Sequence, residues 1–367
     1  MILTALGLMS GTSLDGVDVA LIETDGRQIK SLGPSGYRPY GPDERSLLRE
    51  ALADAVQIGR REARPGRVRE AELAVTAAHA EAIAAILARH RLAPEDIDIV
   101  GFHGQTVLHR PERRLTVQIG DAGALAKAIH IPVMHDFRAA DVDFGGQGAP
   151  LVPVYHRALT QPLSRQGPIA VVNVGGVSNI TYIDGDDVLI ACDTGPGNAL
   201  LDDFMHRTTG QAFDQDGRVA EQGAPDEAWI ARALELPFFV SPPPKSLDRN
   251  DFAALKLGEM SPADGAATLT AFTAAAIARI VPLLPKPPAS WIVCGGGARN
   301  RTMMRMLRQR LAPASVEAAD ALGWSVDAIE AQAFGFLAVR GMKGLPLSYP
   351  ATTGVPMPVT GGVIARP

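Results

Sequence analysis

Three short turns carry the residue types that cradle a phosphate: Gly11-Thr12-Ser13-Leu14-Asp15-Gly16, Gly175-Gly176-Val177-Ser178-Asn179 and Gly295-Gly296-Gly297-Ala298-Arg299-Asn300. Glycine lets the main chain approach a ligand, N–H groups and hydroxyls donate to phosphate oxygens, and a carboxylate such as Asp15 can hold a magnesium ion through water. One such turn is as well explained by an ordinary hairpin; three, two of them in matching surroundings, are not. Neither P-loop spacing nor Gly-x-Gly-x-x-Gly is present, so those two nucleotide folds are not indicated.

Asp193 is the candidate general base. The segment Cys192-Asp193-Thr194-Gly195-Pro196-Gly197-Asn198 follows an apolar run and precedes a helical pattern, which puts the carboxylate at a strand end before a helix start. There it would either cap the helix or, with the glycines pressing main chain against a ligand, accept a proton beside a magnesium nucleotide. Glu330 falls beside Ile329, Ala333 and Phe336, the core-facing residues of an amphipathic helix over 325–338. A carboxylate on that side is costly without a partner or a task. His103, Gln105 and His109 end a strand predicted over 97–104, where they would reach a ligand. With His135 they match no common zinc spacing, so hydrogen bonding to a sugar is the expectation rather than metal. Arg138 lies between Asp136 and Asp141 in a segment rich in Gly, Asp and Pro. The three charges would pair with one another, or Arg138 would grip a substrate carboxylate with two parallel bonds.

These groups need elements to hold them. Residues 2–8 are an apolar run, a polar turn follows, and VDVALIE resumes with the alternation of a half-buried strand; residues 169–174, GGVSN and ITYID repeat the unit. A strand-turn-strand used twice predicts two related α/β domains facing each other across a cleft that takes the ligand, and 367 residues suit two domains. The expected division gives residues 1–140 plus 352–367 to the first domain and 141–351 to the second, with a crossover loop over 131–153. Helices are predicted over 71–90, 266–284 and 301–311, and a rigid proline-rich loop over 237–246.

Composition narrows the function classes. Lys and Arg number 35 against 40 Asp and Glu, a net charge of −5, which gives no global attraction to nucleic acid or anionic lipid. Two cysteines, Cys192 and Cys294, make no disulfide scaffold, which suits a reducing, cytoplasmic setting. The apolar start lacks the basic residues and cleavage site of a secretion signal. The stretch 266–284 contains Arg279 and Pro282 and reads as a buried helix rather than a membrane span.

Taken together, GLMSGTSLDGVDVAL, GFHGQTVLHRP, NVGGVSNIT, DTGPGN, CGGGARN and DAIEAQAF, spread in this order over nearly the whole chain, resemble the 1,6-anhydro-N-acetylmuramic acid kinase family. That family belongs to the superfamily of acetate and sugar kinases, Hsp70 and actin. The resemblance implies two ribonuclease H-like domains around a nucleotide cleft, ATP and Mg²⁺ as cofactors, and a homodimer. It implies a kinase that opens the 1,6-anhydro ring of its sugar with water and phosphorylates O6, giving N-acetylmuramic acid 6-phosphate and ADP during peptidoglycan turnover.

Residue by residue, the resemblance assigns Gly11, Thr12, Ser13, Leu14, Asp15, Gly16, Val17 and Asp18 to the ATP phosphates. Gly175, Gly176, Ser178 and Asn179 fall in a second phosphate motif, and Gly295, Gly296, Gly297 and Asn300 in an adenosine motif. Asp193 matches the catalytic base and Glu330 an acidic residue of the sugar site, both counted as catalytic and substrate-binding, while His103, Gln105 and Arg138 fall in sugar-pocket segments. One departure stands out: the family more often continues Thr-Gly-Arg after the equivalents of Lys245-Ser246, whereas here Leu247-Asp248 precede Arg249. Two other readings are a superfamily kinase or phosphatase acting on another sugar or an acyl group, and a nucleotide-gated interaction module. No peptide-binding domain follows to support the latter.

Overall fold

A computed structural model describes residues 1–247, 252 and 255–367. The chain divides into two units, Met1–Pro162 with Asp327–Pro367, and Leu163–Val326.

In the first unit the apolar run after Met1 becomes β1 (Leu3–Ser10), which turns into antiparallel β2 (Gly16–Thr24), with Leu8 opposite Val19. β3 (Ile29–Pro39) extends this meander, β4 (Ile99–Arg110) runs parallel to β1, and β5 (Leu115–Ile119) folds back on the far half of β4. β6 (Val133–His135) lies parallel to β4, and the chain's end returns as β12 (Val363–Ala365) beside it. The order is β12-β6-β4-β1-β2-β3.

Helix Val68–His90 buries Ala71, Val75, Ala78, Ala82 and Ile86, three or four residues apart, in one core with Leu6, Leu8 and Val100. The opposite face of the sheet takes helix Ile329–Met342, which packs on β1, β2 and β4. The approach is close enough that a Cβ at Gly7 would collide with the Ala331 carbonyl, and one at Gly101 with that of Phe334. With both faces covered, β2 is buried nearly throughout rather than on alternate residues.

The second unit repeats this plan. β7 (Ile169–Val174), β8 (Val177–Asp184) and β9 (Val188–Pro196) form an antiparallel meander, while β10 (Ser290–Cys294) is parallel to β7 and β11 (Ser315–Ala318) to β10. The order β11-β10-β7-β8-β9 matches β6-β4-β1-β2-β3 strand for strand and sense for sense. Helix Pro262–Ala278 is apolar around its circumference and lies in the core with Phe204, Trp229, Phe239 and Met303. Both it, with the turn to Leu283, and Val68–His90 are long and apolar enough to cross a membrane, and most of each is buried within protein.

Several expectations need correction. The division falls at 162/163 and 326/327 rather than at 140/141 and 351/352. Residues 141–162 belong with the first unit because the Asp141 carboxylate accepts from Thr353 Oγ1 and Gly148 N–H and Tyr155 donates to Gln332. The segment read as a crossover loop holds β6 and helix Ala139–Asp143. Helix Ile329–Met342 is not amphipathic: every residue from Ala331 to Arg340 is buried, since it fills the space over a sheet. β4 runs six residues beyond 104, so His103 and Gln105 stand inside a strand, not at its end.

Candidate functional site

In the first unit the turn between β1 and β2 presents Thr12, Ser13 and Asp15 to solvent, while Leu14, at φ 55°, sends its side chain into the core and Val17 is fully buried. Ser13 Oγ donates to Asp15 Oδ1 at 2.9 Å, and the Asp15 carbonyl accepts the Tyr40 N–H at 2.8 Å. Beneath the turn Gln105 is completely buried. Its Oε1 accepts from Ser10 Oγ at 2.6 Å and its Nε2 donates to the Gly11 carbonyl at 3.1 Å. Gln105, expected in a sugar pocket, ties β4 to the turn through these bonds.

His103 is likewise committed within the protein. Its Nδ1 bonds the Gly104 carbonyl at 2.8 Å, which leaves Nε2 as an acceptor for Arg138 Nε and Nη2 at 3.2 and 3.1 Å. Burial first, and then the Arg138 charge, hold the imidazole well below the usual histidine range, so it is neutral. The Phe334 ring lies 4.6 Å from the imidazole and 5.9 Å from the guanidinium, and Arg138 Nη1 donates to the Gly148 carbonyl at 2.8 Å. The Nε–Nη2 edge, the one suited to a bidentate carboxylate, therefore faces His103. Asp136 and Asp141 do not pair with Arg138 by hydrogen bonds; Asp141 ties down Gly148 and Thr353.

Glu330 opens the first turn of helix Ile329–Met342 and is the residue of that helix segment left exposed before the buried run. The carboxylate reaches water, yet surrounding protein strips enough hydration to push its pKa up, while Arg138 pulls it down. Asp18 on β2 is pushed up to about 7, by partial burial first and then by Asp15, Glu330 and Asp327. Among the described residues no group of three or more His, Cys, Asp or Glu forms a metal cage. Asp15 and Asp18 offer hard oxygens of the kind that meet Mg²⁺ through its waters when phosphates supply the other ligands.

In the second unit a row of polar residues crosses the sheet where Asn173, Asn179 and Asp193 are neighbours on β7, β8 and β9. Asp193 stands inside β9, and the cap of the following helix Ala199–Thr209 is Asn198, so the capping role is excluded for Asp193. Its N–H donates to the Lys245 carbonyl at 2.9 Å, and its Oδ2 accepts the Leu247 N–H at 2.7 Å. Burial pushes the carboxyl up to about 6 against that single bond. The atypical loop continues into Asp248 and Arg249, which lie outside the described residues.

The glycine turns of this unit meet one another. Gly197 and Asn198 donate their N–H groups to the Gly176 and Gly175 carbonyls at 2.9 and 2.7 Å, and a Cβ at Gly197 would strike the Gly175 carbonyl. The Gly-Pro-Gly segment is thus pressed against the neighbouring turn. Ser178 is fully buried and joins Thr194 Oγ1 and the Gly195 carbonyl, and Asn300 caps helix Arg301–Arg310 through the Met303 N–H. Both side chains are engaged within the protein, and the open main chain of these motifs is that of the exposed Gly176 and Gly296 with half-buried Gly175, Gly295 and Asn179. Gly297 packs on Val174 and Gly16 against Tyr37.

Sequence reasoning missed Phe334, Asn198 and Tyr40. Phe334 was within reach, four residues after Glu330 and so on the same helix face. Asn198 Nδ2 donates to the Val174 carbonyl and Tyr40 backs Ser10; nothing local in the sequence announces either bond.

A family model described as anhydro-N-acetylmuramic acid kinase matches residues 3–367. Proteins of that name are 80% identical over 367 residues in Bradyrhizobium diazoefficiens and 75% over 367 in Rhodopseudomonas palustris, covering 100% of both chains in each case. One from Methylobacterium nodulans is 54% identical over 373 aligned residues, covering 99% of this chain and 100% of its own. With matches spanning both units and every motif described above, the chain belongs to the anhydro-N-acetylmuramic acid kinase family.

Proposed function

We propose that this chain is an ATP-dependent kinase that opens the ring of 1,6-anhydro-N-acetylmuramic acid with water and phosphorylates O6, in the recycling of peptidoglycan. The observation that supports this reading most is Asp193, a half-buried carboxylate with a pKa of about 6 in a segment matched by the family. Such a group is largely ionised at neutral pH and basic enough to take a proton.

Asp193 accepts a proton from water as the water oxygen bonds to C1. The C1–O6 bond breaks with its electron pair on O6, and O6 attacks the γ-phosphorus of ATP as ADP leaves. The sum is anhydro sugar, water and ATP giving N-acetylmuramic acid 6-phosphate, ADP and a proton, which Asp193 returns to solvent. Phosphoryl transfer takes the place of the acid that protonates the leaving oxygen in ordinary inverting glycoside hydrolysis.

Glu330 and Arg138 hold the sugar under this reading. Thr12 and Ser13 with the main chain of Gly11 are the first unit's phosphate contacts, and the main chain of Gly176 and Gly296 supplies the second unit's nucleotide contacts. Asp15, with Asp18 behind it, would hold Mg²⁺ through water, and the ion would offset phosphate charge. Incubation with ATP and the anhydro sugar in ¹⁸O-water tests the reaction. One ¹⁸O at the anomeric position together with one new phosphate is expected; phosphate without label, or equal ATP use with a free hexose, would reject it.

A further inference from the structure

Asp193 is held by a second element besides its own strand. β9 is the edge of its sheet, and its free side takes the segment after the turn Pro237–Val240. The Lys245 carbonyl accepts the Asp193 N–H, and two residues on the Leu247 N–H reaches Asp193 Oδ2. Between them the Lys245 side chain turns back. Its Nζ donates to the Phe238 carbonyl at 2.7 Å and stands 4.5 Å from the centre of the Phe238 ring, within cation–π range. Phe238 in turn meets Phe239 and Phe252 edge-on, and those two stack at 5.5 Å beside the buried Phe272.

We propose that Lys245 is a positioning residue for Asp193: its ammonium pins segment 241–247 to the aromatic cluster, and the pinned main chain fixes the rotation of the carboxylate. With Oδ2 bonded to Leu247, Oδ1 is the oxygen that receives the proton. This inference rests on Asp193 being the base, and it adds a residue that acts only through Asp193. Beside Asp193 on β9 the Cys192 thiol is pushed up to about 12 by burial and stays neutral, and Asn179 across the strand does not titrate.

The test compares Lys245→Met, which keeps the stem and deletes the charge, with Lys245→Arg. A small misplacement of a reacting group costs about 10- to 100-fold in kcat, and that loss is expected for Lys245→Met, with KM for both substrates within about two-fold of the parent. The acid limb of kcat/KM should move to higher pH, because loss of the Leu247 bond removes a group that favours the ionised carboxyl. Lys245→Arg should recover most of the rate. Unchanged kcat, or a raised KM for ATP with the acid limb in place, would overturn the proposal, the latter making Lys245 a phosphate ligand. Should Lys245→Met fail to fold, Phe238→Leu must give the same pattern more weakly, and a parental profile there rejects it equally. An Asp193→Asn control separates the two ideas: near-parental turnover removes the base itself, whereas a dead Asp193→Asn with an unaltered Lys245→Met removes only the role of Lys245.

Discussion

Arg138 gives both hydrogen bonds of one guanidinium edge to a single atom, His103 Nε2. That acceptor exists because Nδ1 is engaged with the Gly104 carbonyl and burial keeps the ring neutral. The cation is thereby aimed by an uncharged neighbour, its Nη1 donates to the Gly148 carbonyl, and its charge acts on Glu330. His103→Phe fills the site without the acceptor. We expect KM for the sugar to rise about tenfold and stability to drop by about 1–3 kcal/mol, the cost of a buried donor left unpaired. Steady-state kinetics with thermal unfolding check both, and an unchanged KM in a folded variant contradicts the orienting role.

For Asp193→Asn, turnover should fall by several orders of magnitude while calorimetry still records binding of ATP and sugar. As the proposed base, Asp193 would work ionised, and with its pKa pushed up to about 6, kcat/KM should climb as pH rises through about 6 and level off above it. A profile flat from pH 5 to 7 would be incompatible with this role.

His79 is fully buried, with Nδ1 on the Val75 carbonyl, and its pKa is lowered from 6.5 to about 4 by burial first. Between those values the unfolded chain binds a proton that the folded chain refuses, so stability falls as pH drops through this window. Asp18 and Asp193, pushed upward, act with the opposite sign over an overlapping range. A difference measurement isolates the imidazole. His79→Leu should shift the slope of unfolding free energy against pH between 4 and 6.5 by up to one proton, about 1.4 kcal/mol per pH unit, in the direction of stability lost as pH rises. Denaturant titrations at several pH values provide the slopes, and equal slopes would refute the assignment.

Ser178 was expected at a phosphate and instead joins β8 to β9. Ser178→Ala should destabilise the protein by about 1–3 kcal/mol, the penalty for a buried partner lost, with KM for ATP unaltered. A tenfold rise in that KM at parental stability would restore Ser178 to the nucleotide site.

Much of the fold was legible because the relevant signals are local. The paired apolar runs at 2–8 and 169–174, each followed by a glycine turn, announced the two hairpins, and the match of β6-β4-β1-β2-β3 to β11-β10-β7-β8-β9 extends that repeat to whole sheets. The site was legible by residue type more than by role. Asp193 stands half-buried and Glu330 exposed, whereas Gln105, Ser178 and Asn300 use their amides and hydroxyl inside the protein. A sequence shows that a hydroxyl or amide is present, but which partner it finds depends on strands far apart in the chain. The unit boundary was misplaced for the same reason: Asp141 and Thr353 are 212 residues apart, and only the folded sheet makes them neighbours.

The first unit is closed by residues that follow the whole of the second unit in the chain. A nascent chain released up to Val326 already contains every strand of the second unit, while β1 and β4 still show bare glycines where Ala331 and Phe334 will dock. The later half can therefore mature ahead of the earlier one, and Glu330 arrives with the same stretch of polypeptide that seals the sheet. Chains ending at Val326 would carry Asp193 but neither Glu330 nor a finished first unit.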